Sequence, residues 1–247
     1  HYLVGRQAQL RMEQGRLREA ETIATGVLRL PRLTLVMRLP ALTVLGRTGI
    51  RLGHEGAGEI LRRALSEALA TGEPQNIAPV RFALVEAAWL STDETALREH
   101  LALLQAMDVA NFDPWEAGEL AVWLARCGLP PDERLTLAFP KPRALELAGN
   151  PIAAADEWQR LGLPYEAALA LLQVSGAGAG QAFARAVSLL DGIEAAAGAG
   201  RARATARRMG LAEHLPQQKR GPYAAARAHP LGLTKRDCDV LRLLVDG

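Results

Sequence analysis

The sequence predicts an all-α protein built from stacked helical hairpins. Alanine and leucine dominate the 247 residues, hydrophobic residues make up 49% and aromatic residues only 4%, a composition that suits helix-on-helix packing rather than a β-sandwich. Apolar residues recur at helical spacing in successive segments, which glycine or proline separates. Because an amphipathic pair cannot bury its apolar face alone, the pairs should stack into one continuous core.

The first hairpin is predicted within residues 1–30, where Gly15 divides two amphipathic segments and Pro31 ends the second. The small residues Ala8 and Ala20 allow the two helices to approach closely, and glycine allows a tight connection. The spacing of Ala8, Gly15 and Ala20 resembles the helix–turn–helix unit of tetratricopeptide repeats. This resemblance implies a tetratricopeptide-like α-solenoid of helical hairpins.

A second hairpin is predicted with helices at about Val36–Leu52 and Ala57–Ala70. Gly53 lies 38 residues after Gly15, a longer period than the ~34 residues of regular tetratricopeptide repeats. The repeats are therefore degenerate.

A third pair is predicted at Pro79–Leu90 and Glu94–Met107, with Ser91 as the cap of the second helix and Glu94 three residues on. A further helix should start at residues 113–116, where an aspartate cap precedes proline at the first helical position and glutamate at the third. It should run to about Cys127.

Residues 130–142 are rich in proline and are predicted to form an irregular connector, within a possible sub-boundary at 128–142. Helices resume beyond it, since proline and glycine delimit five further apolar segments. They are expected at residues 143–148, after the Asn150-Pro151 cap, from Pro164, at 181–190 and at 194–209.

The last fifteen residues, Leu233–Gly247, have the pattern of a well-started amphipathic helix. Thr234 can cap its first turn, Asp237 can reach back to the cap, and Leu233 can contact Cys238 as a hydrophobic staple. Leu241 and its apolar neighbours are expected to face a core. An ordinary C-terminal helix would share these features.

This stretch, LTKRDCDVLRLLVDG, resembles the opening of the LuxR-type helix-turn-helix domain. The matching positions are Leu233, Thr234, Arg236, Val240, Leu241, Leu243, Leu244 and Gly247. Asn150–Leu172 resembles the helical segment found just upstream of the DNA-binding domain in large LuxR-type regulators, through Trp158, Gly162, Leu171 and residues 164–168.

The resemblance implies that Thr234, Lys235 and Arg236 lie near the DNA backbone, with Thr234 as the cap and the two bases as candidate phosphate contacts. In this family the second helix of the motif enters the major groove and reads base edges. Because no such helix follows Gly247, we expect this chain to be a fragment that does not recognise a DNA sequence by itself.

The predicted organisation has three parts: a tetratricopeptide-like repeat domain at 1–212, a basic linker at 213–232, and the truncated start of the helix-turn-helix domain at 233–247. Residues 201–236 hold nine lysines and arginines but one acid, although the whole chain carries a net charge of +2. Such a segment beside a DNA-binding motif is expected to neutralise phosphates. A solvated basic linker without a partner is the alternative.

No constellation of catalytic, cofactor-binding or metal-binding residues is evident. The five histidines are scattered, the glycine-rich stretches lack a following Lys-Ser/Thr, and there is no GxSxG. Cys127 and Cys238 are far apart, which is typical of reduced thiols in a cytoplasmic protein. The four tryptophans are expected to be mainly core residues, and no apolar run is long enough for a membrane span.

The sequence thus predicts the sensing or docking region of a bacterial LuxR-type transcription regulator, not an enzyme. Its expected partners are DNA, through the complete helix-turn-helix domain, and a small-molecule or protein effector on the repeats. The alternative is a repeat scaffold that binds only protein and has no role in DNA binding. No membrane partner is expected.

Overall fold

The computed structural model describes residues 2–108, 112–136 and 138–216, together with positions 238 and 241. Twelve α-helices and no strand occur in these residues, so the all-α prediction is confirmed. The helices are α1 (Tyr2–Glu13), α2 (Leu17–Leu28), α3 (Leu35–Leu52), α4 (Ala57–Leu69), α5 (Pro74–Ser91), α6 (Glu94–Gln105), α7 (Pro114–Arg126), α8 (Lys141–Leu147), α9 (Pro151–Arg160), α10 (Pro164–Leu171), α11 (Ala179–Gly192) and α12 (Ala196–Arg208).

The turn between α1 and α2 depends on glycine for two reasons. Gly15 has a φ of +76°, and a Cβ atom built there would lie 2.6 Å from Cγ2 of Ile193 and 2.9 Å from Cγ of Pro164. Ala8 and Ala20 are fully buried where the two helices pack together. The small residues recognised in the sequence therefore lie at close helix–helix contacts.

Helices α3 and α4 also pack closely against each other. A Cβ atom on Gly46 would lie 2.6 Å from Cδ2 of Leu61, and one on Gly49 would lie 2.8 Å from Cβ of Ala57. Gly53 then ends α3 in a left-handed conformation, which glycine adopts without steric cost.

The start of α5 and the cap of α6 differ from the prediction. Helix α5 begins at Pro74, which occupies a favourable first-turn position, and Pro79 lies inside the helix. Ser91 still belongs to α5, where its hydroxyl donates to the carbonyl of Ala88. The cap of α6 is instead Asp93, whose carboxylate accepts from the backbone N–H of Ala96 at 3.0 Å.

The start of α7 agrees with the predicted capping box. Asp113 accepts from the N–H groups of Trp115 and Glu116 at 2.8 and 2.9 Å, and the Glu116 carboxylate accepts from the Asp113 N–H. Asn150 occupies the position before α9, but its side chain makes no capping hydrogen bond. Between α7 and α8 no helix is present among the described residues.

Each helix packs mainly on its neighbours in the chain, from α1 through α12. In addition, α12 contacts α3 and α5, which are more than a hundred residues earlier in the sequence and which nearest-neighbour stacking did not anticipate. One apolar cluster runs from Ala8 to Ala202, and a smaller one joins α3, α4 and α5. Trp123 and Trp158 are buried in the larger cluster, whereas Trp115 is 48% exposed.

The chain divides into two compact units, His1–Leu215 and Pro216–Gly247. The predicted assignment of 213–232 to a linker and of 233–247 to a helix-turn-helix domain remains a prediction. In the part of the chain that the structure describes, no helix is both long and apolar enough to cross a membrane.

Candidate functional site

The most distinctive polar feature of the first unit is a set of charged side chains enclosed among five helices, which we call the Arg–Glu network. It consists of four arginines and four glutamates. They are Arg47 and Arg51 on α3, Glu86 on α5, Glu119 and Arg126 on α7, Arg143 and Glu146 on α8, and Glu166 on α10.

One half of the network is centred on Glu86, whose side chain is fully buried. Arg51 donates to both carboxylate oxygens of Glu86, from Nε at 2.6 Å and Nη2 at 2.9 Å. Arg47 donates to the same carboxylate from Nε at 2.6 Å and to Glu119 from Nη2 at 2.9 Å. Helices α3, α5 and α7 are therefore joined by charge-assisted hydrogen bonds, which are stronger than neutral ones.

The other half joins α7, α8, α9 and α10. Arg126 donates from Nη2 to Glu146 at 2.6 Å, and the indole N–H of Trp158 donates to the other oxygen of that carboxylate at 3.0 Å. Arg143 donates to Glu166 at 3.2 Å. Arg51 connects the two halves, because its Nη2 lies 3.9 Å from a Glu166 oxygen.

Aromatic rings cover three of the guanidinium groups. Arg51 lies 3.8 Å from the centre of the Tyr165 ring, and Arg143 lies 4.8 Å from that of Trp158. Arg126 lies 5.1 Å from the ring of Trp123. Cation–π attraction at these distances favours the charged guanidinium in surroundings that exclude water.

The electrostatics of the network favour the charged forms of Glu86 and Glu166. Burial alone would raise the pKa of Glu86, but the charges and hydrogen bonds of Arg51 and Arg47 lower it to about 2. In the same way, burial is outweighed at Glu166, where Arg143 and Arg126 lower the pKa of the carboxyl. The pKa of the Tyr165 hydroxyl is raised, first by burial and then by the charge of Glu86.

The network balances its charges and is closed except at one edge, where the side chains of Arg47, Glu119 and Glu166 are 15–17% exposed. Burial takes these charges out of water at a cost that offsets much of their attraction, whereas removal of one partner leaves an uncompensated buried charge. The lowered pKa of Glu86 and the raised pKa values of Arg47 and Arg51 keep these three partners ionised at neutral pH. The arrangement can hold α3, α5, α7, α8, α9 and α10 in register and present a polar rim to a ligand.

The residues predicted to contact DNA lie outside the described part of the chain. These are Thr234, Lys235 and Arg236. Of the neighbouring positions, Cys238 and Leu241 are helical. Leu241 is 47% exposed, although the apolar pattern placed it on a core-facing side.

Sequence reasoning missed the Arg–Glu network, although Glu86 carried a signal. It stands in an otherwise apolar run, Phe82–Leu90, where a charged residue on a buried helix requires a partner. Its partners are 35 and 39 residues away in sequence, so no local pattern identifies them. Among the described residues, no group of three or more metal-binding side chains is placed to hold an ion.

Comparisons of the chain with models of protein families, with curated proteins and with solved structures find no match.

Proposed function

We propose that this chain is the helical sensing region of a LuxR-type transcription regulator, followed by the front of its DNA-binding domain. The observation that carries the proposal is the sequence Leu233–Gly247, in which eight positions match the opening of that domain. The regulator acts on DNA in the cytoplasm, and its effector binds to the helical hairpins.

A second stretch of sequence supports the same assignment. Residues 150–172, which resemble the segment upstream of the DNA-binding domain in these regulators, form the helical pair α9 and α10. The pair supplies Glu166 to the Arg–Glu network, and its Trp158 and Tyr165 contact Glu146 and Arg51 of the network. Residues that carry the resemblance therefore also position the buried charges.

The packing of successive helices as pairs supports a tetratricopeptide-like arrangement of the first unit. The contacts of α12 with α3 and α5 depart from simple nearest-neighbour stacking, and they support a regulatory role, because α12 is the last α-helix before the second unit. An effector that binds one arrangement of these helices better than another shifts the equilibrium by its difference in affinity. Through α12 that shift is transmitted towards the DNA-binding domain.

Measurements of DNA affinity against salt concentration test the proposal on this chain. We expect weak binding to random duplex DNA, with an affinity that falls as salt displaces the contacts of the basic segment. The double variant K235Q/R236Q should reduce the slope of log affinity against log salt by about two units or less. The matched control R29Q/R32Q removes two exposed arginines near the end of α2 and should leave the slope unchanged.

The rival assignment, a scaffold that binds only protein, makes the opposite prediction. Its basic segment would not contact DNA, so the two double variants would behave alike. The coding sequence that follows Gly247 in the parent gene provides an independent test. A turn and a second helix rich in lysine and arginine would support the regulator, whereas a stop codon or unrelated sequence would favour the scaffold.

A further inference from the structure

A cleft of about 290 Å³ lies between the end of α5 and one face of α12. Small residues, including Ala197, Gly200 and Ala204, form much of its wall on α12. Its polar lining consists of Arg201, Arg208, Thr205 and Thr92, with no acidic residue among the lining side chains. The cleft is therefore a small basic cavity with apolar walls.

Arg201 is the central cation of this cleft. Its guanidinium lies 4.3 Å from the centre of the Trp89 ring, and its half-buried side chain has no ion-pair partner among the described residues. The Nη1 atom is buried without a hydrogen-bond partner there. Burying an N–H donor of this kind is unfavourable unless a hydrogen-bond acceptor binds to it.

A second positive charge lies on the same face of α12. Arg208 donates from Nη2 to the hydroxyl of Thr205 at 3.1 Å. Burial lowers the pKa of Arg201, and the charge of Arg208 lowers it further, while Cys127 and Glu94 act more weakly in the opposite direction. The two guanidinium groups thus repel each other across a site that an anion would stabilise.

The start of α12 beside the cleft also favours negative charge. Ala197 lies in the first turn of this helix, which no described side chain caps; the N–H groups of Ala196 and Ala199 donate to the carbonyls of Glu194 and Ala195. The end of α5 is closed by its own hydrogen bonds, from the N–H of Thr92 to Trp89 and from that of Asp93 to Ala88. The carbonyls of Trp89 and Ala88 are therefore engaged, while the N–H of Ala197 has no backbone acceptor in the part of the chain that the structure describes.

We propose that this cleft binds a small organic anion through a phosphate or carboxylate group held by Arg201 and Arg208. The planar guanidinium fork matches both kinds of group with two parallel hydrogen bonds. The apolar wall accepts a short carbon skeleton, and the volume limits the ligand to a small metabolite. Anion binding goes beyond the proposed function and does not depend on it, since it is a property of α5 and α12 alone.

Tryptophan fluorescence provides a direct readout, because Trp89 lies beneath Arg201. We expect inorganic phosphate or succinate, titrated at constant ionic strength, to cause a saturable change in emission. In R201Q and R208Q the affinity should fall at least about tenfold, as expected for loss of a charge-assisted pair. The W89F variant should lose the signal but retain the heat of binding in calorimetry.

The matched control is R207Q, which removes an exposed arginine from the same turn of α12 outside the cleft. It should bind phosphate or succinate like the wild type. A saturable response to either probe supports the proposal and identifies which anionic group is accepted. A linear response, or one that sodium chloride reproduces, overturns the proposal, as does equal affinity in R208Q and R207Q. Because Arg208 is exposed, its variant should fold normally.

Discussion

Replacing Glu86 with glutamine removes the charge that Arg47 and Arg51 share, with little change in side-chain volume. Both arginines then remain largely buried, with exposed fractions of 15% and 3%. Breaking a buried ion pair on one side costs ~3–5 kcal/mol, since it leaves an uncompensated charge. The lowering of the Glu86 pKa from 4.5 to about 2 corresponds to a similar contribution to the free energy of unfolding, roughly 3 kcal/mol.

Urea unfolding of the wild type and E86Q measures this loss, with E59Q as the control. Glu59 pairs with Arg62 on the surface of α4, and both side chains are about 70% exposed. A pair of this kind contributes ~0–1 kcal/mol. The reasoning is refuted if E86Q loses no more stability than E59Q.

The dependence on pH gives a second measure of the same substitution. A carboxylate whose pKa is lowered by folding contributes stability above its unfolded pKa, and this contribution is lost as the pH falls through the folded pKa. The difference in unfolding free energy between the wild type and E86Q should therefore be full above about pH 5 and disappear towards pH 2, where Glu86 itself becomes neutral. A difference that stays constant across this range would show that the charge of Glu86 is not its source.

Two further substitutions test the helix connections. Gly15→Ala should lower the free energy of unfolding by ~1–3 kcal/mol in a thermal unfolding assay, because Gly15 has a φ of +76° and the new Cβ would lie 2.6 Å from Ile193. Gly26→Ala is the control: Gly26 lies inside α2 with open space around it, so this change should be neutral or stabilising. Asp113→Ala should cost ~1 kcal/mol through loss of the capping box. Asn150→Ala should cost less, since that side chain makes no capping bond, and equal losses at the two positions would contradict the assignment.

Local sequence signals account for most of the helix boundaries. Gly15 and Gly53 predicted two of the turns, and Asp113 predicted a capping box, because each acts within a few residues of itself in the chain. The cap of α6 could not be assigned in this way. Ser91 and Asp93 are both good caps, and the choice depends on where α5 ends, which its packing decides.

The candidate site depends on contacts that the sequence pattern cannot specify. Glu86 is recognisable as an unusual charge in an apolar helix, but its pairing with Arg47 and Arg51 requires the relative positions of α3 and α5. The return of α12 to α3 and α5 is likewise a property of the whole array. In the sequence, Arg201 is recognisable only as part of a basic segment. Its position over Trp89 results from the packing of α12 against α5.

Helix α5 carries elements of both the Arg–Glu network and the basic cleft. Glu86 precedes Trp89 by three residues, so the two side chains lie within one turn, and Leu90 and Thr92 line the cleft at the end of the same helix. An anion that bound one position of α5 more tightly than another would also shift the ion pairs between α3 and α5. The coupling would then be reciprocal, and this is the property that the proposed regulator requires.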